Sequence, residues 1–118
     1  KAPWGEVVAI DIVSGKQLWK KPIGKLGNKT IGTPMYGGLA SNNGGILVAT
    51  GTYDKLIYFL NQNNGEVLKT FKMDASGSSP PIIYKDQDGE KITVVTGTMN
   101  YTGFGGNSPT QIYTFSLN

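Results

Sequence analysis

The chain of 118 residues contains no cysteine, no histidine and no arginine. Without cysteine there is no disulfide framework, no thiolate nucleophile and no sulfur-based metal site. Without histidine the commonest general base and metal ligand is missing, and with it the Ser–His and Cys–His pairs of nucleophilic catalysis. A self-contained hydrolase built on such a pair is therefore excluded. The lack of arginine removes the preferred residue for bidentate phosphate and base-edge contacts. The net charge of +3 comes from lysines scattered along the chain, which reads as a solvated surface and not as a nucleic-acid footprint. No apolar run approaches the ~20 residues of a membrane-spanning helix, and no charged-then-apolar segment opens the chain as a secretory signal does. No segment keeps an i, i+3, i+4, i+7 apolar stripe free of glycine or proline over three turns, so helices are not expected.

Glycine and strand signals fill the chain instead. There are 17 glycines and 6 prolines, a turn-rich composition without a collagen period. Apolar, β-branched runs at 7–12, 17–20, 46–52, 56–60, 66–71, 82–84, 92–98 and 112–117 read as strands. A further short strand is expected at 31–36, interrupted by Pro34 in the manner of an edge. Residues 13–16, 53–55, 61–65 and 85–90 read as turns, 76–81 as a loop and 99–110 as a long Gly/Asn-rich loop.

The sequence repeats itself. AIDIVSGKQL (9–18) matches FLNQNNGEVL (59–68) at a shift of 50, ILVATGT (46–52) matches ITVVTGT (92–98) at 46, and Ile57–Tyr58 falls on Ile112–Tyr113 at 55. A period of about 50 residues holding four short strands is that of a propeller blade. The expected fold is all-β: antiparallel four-stranded blades of a β-propeller, about two to two and a half of them. The units run approximately 1–24 (partial), 30–72 (full) and 79–118 (lacking its outer strand) within one propeller domain. Gly15 and Gly65 are expected at positive φ, with Asp11 and Asn61 bonding the backbone that follows. Trp19 is expected between neighbouring blades, its indole flat on the next unit and its N–H on a backbone carbonyl. Lys69 stands at the matching position of the second copy, so docking there is expected to be weaker or made otherwise. Propellers close with roughly four to eight blades, so this chain is expected to be the end of a longer protein, with a cut N-terminus and a native C-terminus, or to self-associate through its open blade edges.

The run Ala9-x-Asp11-x-x-Ser14-Gly15-Lys16-x-x-Trp19 resembles the tryptophan docking motif of quinoprotein dehydrogenases, propellers of about eight blades that bind pyrroloquinoline quinone (PQQ). Pro3-Trp4-Gly5 before it, Gly51-Thr52-x-Asp54 followed by 56–60, and the glycine-rich loop before a final I-Y-T-F-S-L strand are similar to the membrane-bound glucose dehydrogenase branch. The resemblance covers nearly the whole chain. It implies the C-terminal propeller segment of a PQQ-dependent enzyme that oxidises a sugar, polyol or other alcohol. Such an enzyme is periplasmic, free or anchored to the inner membrane, and passes electrons to a quinone or cytochrome. PQQ and its Ca²⁺ would be held mainly by residues upstream, as would the catalytic base; no residue here is assigned as a metal ligand or as catalytic. The segment alone is expected to be inactive.

Residue by residue, the resemblance places Asp54 and Thr52 near the cofactor, and Asn100 and Tyr101, in the loop 98–106, near the substrate. Each has a plainer reading beside it. Asp54 caps the turn 53–55, Thr52 and Thr98, expected to point into the central channel, merely cap their strands, and the loop lies on the surface. The glucose branch has a histidine near Asn100 or Tyr101 and this chain has none, so glucose specificity is not implied. Trp4 and Trp19 are expected to be structural. Two other readings compete: a PQQ-like propeller scaffold of the outer-membrane assembly type, and a small carbohydrate-binding β-domain using Tyr36, Tyr53 and Tyr101 for sugar stacking.

Overall fold

The computed structural model describes residues 1–97 and 110–117. Every regular element among them is a strand: β1 (Glu6–Ile10), β2 (Gln17–Pro22), β3 (Lys25–Leu26), β4 (Lys29–Thr30), β5 (Gly38–Ser41), β6 (Ile46–Thr50), β7 (Leu56–Asn61), β8 (Val67–Lys72), β9 (Ile82–Asp86), β10 (Gly89–Val95) and β11 (Ile112–Ser116). All pairings between strands are antiparallel. β1 and β2 make a hairpin, β5-β6-β7-β8 a four-stranded sheet, and β11-β10-β9 a three-stranded one, with β3-β4 a two-residue hairpin in the connection.

The two central strands of the four-stranded sheet, β6 and β7, are covered on both faces. Side chains alternate across a strand, and here each alternate set has its own core. Val48, Ile57 and Phe59 pack with Met73, Ile92 and Val94 toward the three-stranded sheet. Their neighbours in sequence, Ala49, Tyr58 and Leu60, pack with Val7 and Ile23 toward the hairpin. That is why ILVAT and LIYFL are continuous apolar runs and not alternating ones; a strand buried on both faces has no polar face to display. β11, an internal copy of β7, keeps the alternation, with Tyr113 and Phe115 half-buried between exposed Ile112, Thr114 and Ser116.

The repeated turns match in detail. Asp11 Oδ1 accepts from the N–H of Val13 at 3.0 Å and of Ser14 at 2.6 Å, and the Ser14 contacts hold the Asp11 carboxyl below its ordinary range. Asn61 Oδ1 accepts from Asn63 N–H at 2.9 Å. Gly15 and Gly65 have φ of 70° and 73°, and their N–H groups close the turns on the Asp11 and Asn61 carbonyls at 2.7 and 2.8 Å.

Gly65 has a second reason to be glycine. A Cβ there would stand 2.6 Å from the six-membered ring of Trp19. The indole lies against that turn and donates from Nε1 to the Gln62 carbonyl at 3.0 Å, so one half-buried tryptophan ties the hairpin to the outer corner of the next sheet. At the following junction Lys69 replaces it and an aromatic cluster takes over. Phe71 meets Phe115 and Tyr113 edge-on with centroids 5.0 and 5.9 Å apart, and Phe59 meets Phe115 at 5.7 Å. Lys69 itself lines an apolar groove of about 460 Å³ beside β11. Asn42 Nδ2 donates to Glu90 Oε1 across the same two sheets.

The structure differs from the sequence reading at several points; of residues 85–90, read as a turn, Lys85–Asp86 end β9 and Gly89–Glu90 begin β10, and residues 11–12 lie beyond β1. Residues 31–36 form no strand, since Gly32 at φ 70° turns the chain; the inner strand is β5, whose GLAS offers one large apolar residue. The β3-β4 hairpin was not foreseen. Trp4, grouped with Trp19 as structural, is 60% exposed; only its backbone is tied down, by its N–H on the Gly32 carbonyl at 2.9 Å.

Trp19→Ala is expected to lower stability by about 3 kcal/mol, the low end for a large aromatic because the indole is half-buried. Gly65→Ala should cost more than about 1 kcal/mol, through positive φ and collision with the indole. Urea unfolding followed by circular dichroism measures both; a change under about 0.5 kcal/mol for Trp19→Ala would place the residue outside the junction.

Candidate functional site

The β6–β7 turn, the N-terminal segment and the connection from β2 to β5 meet at one end of the sheets, and Thr52 and Asp54 lie there. Thr50, Gly51 and Thr52 are buried, and the chain then reverses through Lys55 at φ 62°, the one non-glycine residue at positive φ among those described. A left-handed residue with a side chain needs local support, and Asp54 supplies it.

The Asp54 carboxylate accepts four hydrogen bonds. Oδ1 takes Thr52 Oγ1 at 2.5 Å and Leu56 N–H at 3.1 Å, and Oδ2 takes Lys25 N–H at 2.8 Å and the Tyr58 hydroxyl. Lys72 Nζ donates to the Asp54 carbonyl. A carboxylate has about four acceptor positions, and each oxygen here has two donors from the chain. Two of those bonds turn the local backbone; the others reach the β3 connection and the buried β7 tyrosine. Asp54 thus caps its turn and at the same time clamps the β2–β5 connection to the four-stranded sheet. Thr52 does not open onto a channel: its side chain is fully buried against Asp54, and its carbonyl accepts from Ser76 Oγ at 2.5 Å.

Sequence reasoning missed Tyr58, Lys25, Thr33 and Lys72 as partners of this turn. Tyr58 was read as one more apolar residue of LIYFL. Its repeat mate was the available signal, for Tyr113 also uses its hydroxyl, donating to Gln111 Oε1 at 2.8 Å. Burial pushes the Tyr58 phenol well above its ordinary pKa of 10.0, and the hydrogen bond to Asp54 and the charge of that carboxylate push it further.

The connection 32–36 is fastened to the same turn. Tyr53 N–H donates to Thr33 Oγ1 at 3.1 Å, and Tyr36 N–H to the Gly51 carbonyl at 3.1 Å. Gly37 and Gly51 touch so closely that a Cβ on Gly51 would lie 1.9 Å from the Gly37 nitrogen. Nearby, the buried Thr50 hydroxyl has no hydrogen-bond partner among the described residues, and a Cβ on Gly77 would fall 1.7 Å from it. Asn100, Tyr101 and Thr98 lie outside the described residues.

These residues do not fit direct ligation of PQQ or its cation. The Asp54 oxygens are saturated and the Thr52 hydroxyl is committed to them. Among the described residues no three acidic side chains converge as a metal site. What this end of the chain offers is a braced wall.

The glucose/ethanol/alcohol dehydrogenase β-propeller domain (PQQ) family model matches residues 1–92. The quinoprotein glucose dehydrogenase of Escherichia coli (strain K12) is 26% identical over 97% of this chain, which spans 16% of that protein's length. Among solved structures, the quinohemoprotein alcohol dehydrogenase ADHIIG of Pseudomonas putida HK5 superposes with a TM-score of 0.64 at 20% identity, over 78% of this chain and 12% of its own. BamB from Moraxella catarrhalis superposes with a TM-score of 0.59 at 17% identity, over 82% of this chain and 26% of its own. The two superpositions share a fold between proteins of different names.

Asp54→Asn replaces an all-acceptor group by one that is half donor, and stability is expected to fall by about 2–3 kcal/mol in urea unfolding. The raised Tyr58 pKa sets an alkaline limit. Above pH 10 the unfolded chain releases a proton that the folded chain keeps, so the Tyr58 contribution is whole below pH 10 and declines as pH rises beyond it. Denaturant midpoints measured upward from pH 8 should fall more steeply for the parent sequence than for Tyr58→Phe; equal slopes would remove Tyr58 from the alkaline limit.

Proposed function

As a member of the PQQ family of glucose/ethanol/alcohol dehydrogenase β-propellers, to which the chain belongs, we propose that it is a propeller segment of a larger periplasmic quinoprotein dehydrogenase acting on a sugar, polyol or other alcohol. The observation that carries this reading is the family match over residues 1–92, joined to the repeat that runs beyond it to β11. In such an enzyme PQQ would supply the two-electron redox chemistry, and a Ca²⁺-type cation would assist it as a Lewis acid. Electrons leave to a quinone or a cytochrome. The cofactor, its cation and the catalytic base are held by residues outside this chain.

The chain's own contribution is a wall. Asp54 and Thr52 brace the β6–β7 turn at the cofactor end, and Asn100 and Tyr101 offer an amide and a phenol to substrate hydroxyls. In isolation the segment is inactive, because one wall does not enclose a cofactor, and the uncovered edges of β1 and β11 favour self-association. A propeller scaffold of the outer-membrane assembly type is the second reading, favoured by the BamB superposition alone.

The test is PQQ reconstitution of the full-length parent with Ca²⁺ and an artificial electron acceptor, over a panel of sugars, polyols and alcohols. PQQ-dependent turnover of at least one substrate is expected, with none from residues 1–118 alone. A parent that binds no PQQ would give the place to the scaffold reading.

A further inference from the structure

The tripeptide Asn-Asn-Gly occurs twice, at 42–44 and at 63–65. In an Asn-Gly pair the glycine nitrogen can reach the asparagine side-chain carbon, because glycine has no Cβ to restrict the main chain. The tripeptides are identical, so the fold decides which pair can react. At Asn64–Gly65 both reacting groups are engaged. The Gly65 N–H donates to the Asn61 carbonyl at 2.8 Å, and Asn64 Oδ1 accepts from the Glu66 N–H at 2.9 Å. Gly65 is buried, with the Trp19 indole standing where a Cβ would be. At Asn43–Gly44 both residues are exposed. Among the described residues neither the Asn43 side chain nor the Gly44 N–H has a hydrogen-bond partner. The turn is held around them instead, by the Asn42 N–H on the Ile46 carbonyl at 3.0 Å and the Ile46 N–H on Asn42 Oδ1 at 2.8 Å. Bringing Asn43 onto the Gly44 nitrogen therefore costs no hydrogen bond, whereas the same movement at Gly65 gives up two.

We propose that Asn43 is a site of spontaneous covalent modification, at which the chain deamidates itself, while the fold protects Asn64. The Gly44 nitrogen forms a bond to Asn43 Cγ, and the bond from Cγ to the side-chain amide nitrogen breaks. The Gly44 proton leaves with that nitrogen as ammonia, and a cyclic imide remains. Water then opens the imide. Attack at Cγ gives aspartate. Attack at the main-chain carbonyl gives isoaspartate, with one extra methylene in the backbone. Nothing is oxidised or reduced, and each event adds one negative charge.

The turn 42–45 is tied to both junctions between sheets. The Gly45 carbonyl accepts the Gln62 N–H at 2.8 Å, and the Gln62 carbonyl is the acceptor of Trp19 Nε1. Asn42 Nδ2 donates to Glu90 Oε1 on the three-stranded sheet. A backbone lengthened at residue 43 cannot keep Asn42 and Gly45 at their present separation. Isoaspartate at this position therefore loosens the Trp19 corner and the Asn42–Glu90 contact together.

The test holds the 118-residue chain at constant neutral pH and temperature, with and without denaturing guanidinium chloride, and follows both asparagines by peptide mapping and mass spectrometry. In the folded chain Asn43 is expected to convert at least about tenfold faster than Asn64, and in denaturant the two rates should agree within about twofold. Gly44→Ala should slow conversion at Asn43 and leave Asn64 unchanged. Its Cβ would meet first the Asn42 side-chain amide, at 3.3 Å, and circular dichroism melts establish that the variant is folded. Chains carrying isoaspartate at 43, separated by ion exchange, should unfold at lower denaturant than unconverted chains. Equal rates in the folded chain, or no conversion at Asn43, would overturn the site. A rate ratio that persists in denaturant would assign the difference to flanking sequence and overturn the role of the fold. An unfolding midpoint unmoved by isoaspartate would overturn the link to the junctions.

Discussion

The structure depends on one constraint: the four-stranded sheet carries apolar side chains on both faces of its central strands, and no sheet of this size can bury two faces by itself. Neighbours must therefore dock, and docking fixes most of what else is seen. The β6 and β7 side chains divide by parity between two cores. The hairpin covers one face and the three-stranded sheet the other, and residues that do not pack in the middle close the seams. Trp19 closes the first at its outer corner, Phe71 and its aromatic partners close the second, and Asp54 closes the first at the end where the β2–β5 connection crosses. The contacts at a seam are few and differ between the two junctions, Trp19 at one and the Phe71 cluster at the other.

How legible this was depended on whether a residue's role was local or shared. The Asp11 and Asn61 turns were readable because an acceptor and a glycine at fixed spacing dictate the turn with no help from elsewhere. The all-β class was readable because glycine and proline interrupt every helical stripe. The place of Trp19 was readable through the repeat, which says that something must sit on the next corner. By contrast β5 was hidden, since GLAS is a strand only because β6 offers it a partner, and 31–36 looked like a strand because its composition is right while Gly32 bends the backbone. Trp4 illustrates the limit of composition: a tryptophan is usually buried, yet what is fixed here is its backbone.

The candidate site shows the same division more sharply. The sequence marked Thr52 and Asp54 but could not say what they touch. Four donors converge on the Asp54 carboxylate from residues 25, 52, 56 and 58, a set that exists only after the connection and the sheet have packed. A carboxylate so occupied is a brace and not a ligand, and its value to a binding site is that the neighbouring residues are held still. The chain spans 16% of the length of its glucose dehydrogenase relative.

The central claim is that this chain is one segment of a larger propeller. The most direct measurement is the size and location of the native protein, by immunoblot of fractionated source cells with antibody raised against residues 1–118. Eight units of the observed period correspond to a protein of about 400 residues or more. A band at or above that size in the periplasmic or membrane fraction is the result the account predicts. A band at the size of the 12.6 kDa chain would contradict it, since the open sheets would then have to be covered by copies of the chain itself.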